Sequence, residues 1–199
     1  MRVVAGRFRG RALRAPPGDA TRPITDRVKE TLFNILGNRW GQPGTLPDVD
    51  VLDLFAGTAQ LGIEALSRGA RSCVFVERQR RALKCLRENL RHVGAESMST
   101  VLTENAWTMR PPTTDEGFGL AFVDPPYRDV EDMLRVVDLF ERWTPAVAPD
   151  GVIVFRFEAG TVFDTAALRG LEAFDDRTYA RMRTIFLRRT AHADEPPSQ

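Results

Sequence analysis

The chain of 199 residues is 43% apolar and 28% charged, which suits one compact domain with at most a small appendage. Its two cysteines, Cys73 and Cys85, are not spaced as metal ligands or as a disulfide framework, and two histidines are too few for a histidine-rich site, so no metal is expected. No apolar run approaches the ~20 residues needed to span a bilayer, and the start MRVVAGRFRGRAL has no apolar core like that of a signal peptide. A cytoplasmic protein without membrane contact is the expectation.

The net charge of +1 conceals an asymmetry: residues 1–39 carry +6, which leaves −5 for the other 160. Within the first 14 residues, Arg2, Arg7, Arg9, Arg11 and Arg14 face no carboxylate. A basic arm on a mildly acidic body suits contact with a polyanion, and a solvated charged face has the same composition. Phe8 lies within this arm, able either to stack on a base or to pack on the body.

In chain order, two short apolar stretches around Gly6 to Gly10 read as a small hairpin, ended by Ala15-Pro16-Pro17-Gly18. From Thr25, the positions Val28, Leu32, Ile35 and Leu36 recur at helical spacing, with Thr25 or Asp26 as N-cap and Gly37 just past the end. Gly41 to Asp48 reads as a loop. Val51 to Phe55 is a strand buried on both faces, followed by a helix over Leu61 to Arg68 closed by Gly69. Cys73 to Val76 is a second strand, and the next helix buries Leu83, Leu86, Leu90 and Val93 before Gly94. Thr100 to Thr103 and Leu120 to Val123 are the third and fourth strands. A helix using Met133, Val137 and Phe140 follows, and Pro149-Asp150-Gly151 turns into the strand Val152 to Phe157. Leu171 to Phe174 and Met182 to Arg188 are further strands, and 191–199 reads as a disordered tail. Strands alternating with helices imply a parallel, doubly wound α/β sheet, whose ligands bind outside the carboxyl ends of the strands.

Three such ends carry chemistry. In Asp53-Leu54-Phe55-Ala56-Gly57-Thr58-Ala59-Gln60-Leu61-Gly62, the two glycines bracket a turn into a helix N-terminus, where backbone N–H groups suit a ligand. Ala59 stands at the middle glycine position of a dinucleotide fingerprint, and Asp53 suits a cationic ligand better than a diphosphate. Glu77, ending the second strand, is an acceptor-only group able to take both hydroxyls of a ribose. Asn105 with Ala106 can border an adenine edge. Asp124-Pro125-Pro126-Tyr127 is the most specific segment: its prolines remove two donors, leaving the Asp124 carboxylate and the Pro125 carbonyl as acceptors beside an aromatic ring. Accepting the hydrogens of an exocyclic amine orients its lone pair and stabilises charge developing on nitrogen, while Tyr127 can stack on the base.

These segments, with MRVVAGRFRGRAL, RPITDRVKETLFNIL, VLDLFAGTAQLGIEALSRGA, VFVE and FVDPPY in that order, resemble the bacterial 16S rRNA guanine-N2 methyltransferases of the RsmD family, within the class I S-adenosylmethionine-dependent enzymes. The resemblance spans most of residues 1–127. It implies a Rossmann-like, seven-stranded, mostly parallel sheet with the last strand antiparallel, preceded by a small N-terminal β-hairpin. It divides the chain into a basic RNA-contacting hairpin (1–18), a methyltransferase domain (19–190) and a tail (191–199). It further implies that Asp53, Phe55, Gly57, Glu77, Asn105 and Ala106 hold S-adenosylmethionine and that Asp124, Pro125, Pro126 and Tyr127 grip the guanine amino group. Arg2, Arg7, Phe8, Arg9, Arg11 and Arg14 are expected on 16S rRNA or on a small-subunit assembly intermediate, with the enzyme a monomer. The family pattern has glycine where Ala59 stands and a small residue where Gln60 stands. Three rivals share some of these features: a DNA adenine-N6 methyltransferase, a nicotinamide-dependent oxidoreductase, and a non-catalytic RNA-binding assembly factor.

Overall fold

The computed structural model describes residues 1–16 and 24–190; the expected tail and the breaker residues Pro17 and Gly18 lie outside the described residues. The contacts divide the chain into two compact units, Met1–Ala106 and the residues from Trp107 onward.

In the first unit, α1 (Asp26–Arg39) begins at Thr25, whose side chain accepts from the Val28 N–H. Gly37, expected to close this helix, lies inside it. A Cβ there would stand 2.3 Å from the Gln42 carbonyl oxygen, so the position needs glycine for space rather than for a left-handed turn. The strands β1 (Asp50–Leu54), β2 (Ser72–Val76) and β3 (Ser99–Leu102) run parallel in the order β3-β2-β1. Between them come α2 (Gln60–Ser67) and α3 (Arg80–Val93). The expected apolar face of α3 is buried, and Gly94 at φ +67° closes the helix. α2 lies tight on β2: a Cβ on Gly62 would stand 2.2 Å from the Phe75 ring.

The expected hairpin is short: Val3 N–H donates to the Arg11 carbonyl, Gly10 N–H to the Val3 carbonyl and Leu13 N–H to the Met1 carbonyl, around an antiparallel bridge between Arg2 and Ala12. The N–H groups of Val4, Ala5, Arg7 and Phe8, between these bonds, go to α2 instead. Arg7 N–H donates to the Ser67 carbonyl at 2.8 Å and its guanidinium to the Leu66 carbonyl, while Phe8 N–H donates to Ser67 Oγ. The arm thereby satisfies the Ser67 carbonyl, one of those left over at the end of α2, and adds a second donor to the Leu66 carbonyl, which the Gly69 N–H already reaches. Val4 and Ala5 N–H groups donate to the two oxygens of Glu64 at 2.8 and 3.0 Å. Glu64 is fully buried between Lys29 Nζ (3.6 Å) and Arg68 Nε (2.8 Å). Lys29 also donates to the Arg2 carbonyl, and Arg68 lies over the Phe33 ring and donates to the Gly44 carbonyl. Burial lowers the Lys29 pKa, with Glu64 pulling the other way.

In the second unit the order is β4-β5-β7-β6. β4 (Phe118–Val123), buried along its whole length, pairs in parallel with β5 (Val147–Glu158). β7 (Met182–Arg189) is antiparallel to both β5 and β6 (Leu171–Tyr179). Seven strands thus form a mixed sheet with the last one antiparallel, as expected. Pro149-Asp150-Gly151 belongs to β5, where the register with β4 slips between Phe118 and Leu120; the chain bulges there rather than turning. Two helices, α4 (Tyr127–Val130) and α5 (Met133–Trp143), connect β4 to β5. α5 buries Val136, Leu139, Phe140 and Trp143, a face rotated from the expected one through Met133 and Val137. Phe140, Phe157 and Phe163 gather round Phe155 at centroid distances of 4.7 to 5.2 Å. Among the described residues no helix is long and apolar enough to cross a membrane.

Candidate active site

The register of β1 with β2 pairs Leu54 with Val76, so Phe55 and Glu77 each stand one residue beyond a paired strand end. Glu77 N–H donates to the Leu102 carbonyl at the end of β3, and Asn105 follows three residues later. The parallel strands thus bring the expected cofactor residues of this unit to one carboxyl edge.

The turn after β1 has left-handed residues at Phe55 (φ +60°), Gly57 (φ +54°) and Ala59 (φ +67°). A phenylalanine there is a steric outlier that persists only where its surroundings hold it. Two carboxylates do so. Asp53, buried, accepts from the Gly62 N–H at 3.0 Å, supplying the acceptor that α2 lacks at its N-cap Ala59. Glu77 accepts the Gly57 N–H at 2.9 Å on one oxygen and the Arg78 and Gln79 N–H groups on the other. A carboxylate has about four acceptor directions, so gripping two ribose hydroxyls requires a backbone N–H to release. Asn89 locks the turn from α3 by donating to the Thr58 carbonyl.

In the second unit, Asp124 follows β4 directly and meets Arg156 of β5, whose Nη1 donates to Asp124 Oδ2 at 2.5 Å. The Asp124 side chain is 30% exposed and that of Arg156 only 8%. Burial lifts the Asp124 carboxyl above the ordinary aspartate range, and the Arg156 charge opposes this. Pro125 is buried and Pro126 exposed. The Tyr127 side chain lies outside the described structure. Sequence reasoning missed Arg156, Glu64 and Lys29. The available signal was a lone charge inside an apolar run, in Val152-Ile153-Val154-Phe155-Arg156-Phe157 and in Leu61-Gly62-Ile63-Glu64-Ala65-Leu66.

The arm arginines are all exposed, although several have protein partners: Arg2 with Asp26 (2.6 Å), Arg14 with Glu88 (3.3 Å) and Arg11 with the His92 carbonyl. Of the two positions open to Phe8, the structure shows the packed one. The residue is 7% exposed, with the guanidinium carbons of Arg7 and Arg11 5.5 and 5.6 Å from its ring centroid, because the arm folds inward onto α2.

The first unit fits a ligand with a cationic end and hydroxyls. A Cβ on Gly57 would find only the Phe55 carbonyl, 3.9 Å away, so this glycine faces open space beside Glu77. Gln60 Oε1, at the start of α2, is buried without a hydrogen-bond donor among the described residues.

Fold and edge residues together define a Rossmann-like class I methyltransferase. The solved structure of yhhF from Escherichia coli superposes with a TM-score of 0.78 at 30% identity, covering 96% of this chain and 98% of that one. HI0767 of Haemophilus influenzae gives 0.70 at 26% identity, covering 95% and 98%. The family model described as Conserved hypothetical protein 95 matches residues 1–188. YlbH of Bacillus subtilis (strain 168) is 37% identical over 159 residues, 77% of this chain and 80% of YlbH. Ribosomal RNA small subunit methyltransferase D of Escherichia coli (strain K12) is 38% identical over 130 residues, 64% of this chain and 61% of that relative. The chain belongs to this family, that of the RsmD-type rRNA methyltransferases.

Proposed function

We propose that the chain methylates the exocyclic N2 amino group of a guanine in 16S rRNA with S-adenosylmethionine, acting in the cytoplasm as a monomer. The relatives named as small-subunit rRNA methyltransferases support the reaction class. The observation that carries the guanine amine as acceptor is Asp124, a partly exposed carboxylate at the end of β4 with one oxygen engaged by Arg156 and two prolines following.

An exocyclic amine is a poor nucleophile because its lone pair is delocalised into the ring. Asp124 Oδ1 and the Pro125 carbonyl accept its two hydrogens, turning the lone pair outward, and neither Pro125 nor Pro126 offers a competing N–H. S-adenosylmethionine supplies the methyl group on a sulfonium that is already a good leaving group. With that donor bound, N–C bond formation would accompany C–S cleavage, and the methylated nitrogen would pass its proton to water. Asp124 therefore orients more than it deprotonates, and alignment accounts for most of the rate. Asp53, Phe55 and Gly57 would line the methionine side, Glu77 would accept from the ribose once a backbone N–H releases it, and Asn105 with Ala106 would border the adenine. Tyr127 is assigned to stacking on the base by residue type, and the arginines at positions 2, 7, 9, 11 and 14 to phosphates. The target guanine must leave its stack, at a few kcal/mol unless the RNA presents it splayed.

Incubation with labelled S-adenosylmethionine and 16S rRNA, followed by nucleoside mass analysis, tests this. N2-methylguanosine is expected, and Asp124→Ala should lose it while still binding the cofactor. N6-methyladenine in duplex DNA, or cofactor binding with no methylated product, would overturn the reading.

A further inference from the structure

The outer face of α3 carries a row of cations that the candidate site does not use. Arg80, Lys84, Arg87 and Arg91 follow one another at intervals of four, three and four residues, which stacks them in one stripe along the helix. At 1.5 Å per residue the stripe runs roughly 16 Å. All four are exposed, and with Leu83 and Glu88 they line one open groove. Arg81 adds a fifth cation, against a single carboxylate in the helix, Glu88. That carboxylate is paired with Arg14 of the arm at 3.3 Å. Like charges at these spacings disfavour one another in the free protein, an arrangement that a bound polyanion relieves.

The arm crosses the same face. Arg14 N–H donates to Asn89 Oδ1 at 2.7 Å, Asn89 Nδ2 returns a bond to the Arg14 carbonyl, and the Arg11 guanidinium donates to the His92 carbonyl. Asn89 is 1% exposed, so the junction is built in, and Arg11 and Arg14 prolong the α3 stripe into the arm.

We propose that the α3 stripe, continued by Arg11 and Arg14, is a docking track for an RNA sugar–phosphate backbone; this rests on the reading of the chain as an rRNA methyltransferase. Cations repeating once per helical turn match a repeating line of anions. Three of the four are arginines, which engage phosphate oxygens bidentately. The stripe holds no aromatic side chain, so it positions the RNA without reading its bases.

The test replaces Arg80, Lys84, Arg87 and Arg91 together with glutamine, which keeps helix propensity and leaves the apolar face of α3 intact. Circular dichroism and calorimetric titration with S-adenosylmethionine should show an unchanged fold and an unchanged cofactor affinity. Affinity for a 16S rRNA fragment should fall at least a hundredfold at low salt. The slope of log K against log salt should flatten by about 3, as four phosphate contacts are lost. A variant that keeps the slope of the unaltered protein overturns the track, and so does an acidic polypeptide that competes as well as RNA. If the unaltered protein methylates rRNA while the variant's slope is unchanged, only the track falls. If the unaltered protein neither binds nor methylates rRNA, the rRNA reading falls and the track with it.

Discussion

Arg156 and Asp124 meet across two neighbouring parallel strands: Val123 pairs with Phe155, and the next residue of each strand closes the edge with an ion pair of 2.5 Å. Arg156 Nε, beside this contact, is buried without an acceptor among the described residues. A guanidinium taken out of water for one carboxylate contributes little net stability. Its effect is on the carboxylate, which burial alone would push further toward the protonated form.

From this pair follows a pH dependence. The folded pKa of Asp124 lies above its ordinary value of 3.8, so the residue's contribution to stability is fully present below 3.8 and is lost as pH rises through the folded value. Removing the opposing cation moves the folded value higher still. Arg156→Met should therefore shift the acid limb of methyl transfer to higher pH, so that its loss of rate relative to the parent is largest at the acid end of the profile and shrinks as pH rises. Arg156→Lys should lie between the two. An unmoved acid limb in the methionine variant would remove Arg156 from the chemistry.

Glu64→Gln leaves Lys29 and Arg68 buried without their carboxylate. The expected loss is about 3–5 kcal/mol, or roughly 6–20 °C in Tm for a chain of this size, and trypsin should then cut within the arm. Lys29 is held below 10.5, so its native form sheds the proton before the unfolded one does. Its contribution to stability rises with pH through the folded pKa and levels off above 10.5. In urea titrations from pH 7 to 11, Lys29→Met should lack that rise.

Gly6 and Gly10 have nearly the same backbone angle, φ +78° and +83°, yet their surroundings differ. A Cβ on Gly10 meets nothing within 4 Å, whereas one on Gly6 would stand 1.8 Å from the Ser67 carbonyl oxygen. Gly10→Ala should cost only the left-handed penalty of about 1–2 kcal/mol. Gly6→Ala should cost at least twice that and expose Phe8 to solvent. Equal melting temperatures for the two variants would contradict the docking of the arm on α2.

Gly57 and Ala59 offer the converse comparison. Gly57→Ala adds a methyl at φ +54° into the open space beside Glu77. About 1–2 kcal/mol of stability should go, together with tenfold or more in S-adenosylmethionine affinity by calorimetric titration. Ala59→Gly relieves a buried left-handed alanine, and the added freedom of the unfolded chain largely offsets that gain. Its stability should stay within about 1 kcal/mol of the parent, which thermal melting would check.

Much of the fold was legible in the chain because its signals are local. β2, α3 and β7 lie where the apolar runs, the leucine spacing and Gly94 put them, each within a few residues. The acidic ends of β1 and β2 and the Asp124-Pro125-Pro126 segment declared themselves by following apolar strands, since a parallel sheet presents chemistry at that edge. Two positions read differently in the fold. Gly37 answers to the nearby loop at Gln42, where glycine is needed for space rather than to end the helix, and Pro149 answers to the slipped register against Phe118, a partner no window of neighbouring residues contains.

By itself, then, the sequence determined which segments are strands and helices and which carboxylates end them, because backbone periodicity and steric limits act over a few residues. Only the tertiary structure decided that Glu64 anchors the arm through Lys29 and Arg68, that Glu77 is engaged by three backbone N–H groups, and that Asp124 is held by Arg156. Those pairings join groups far apart in the chain, and burial, by removing the water that otherwise screens them, gives each charge its particular partner.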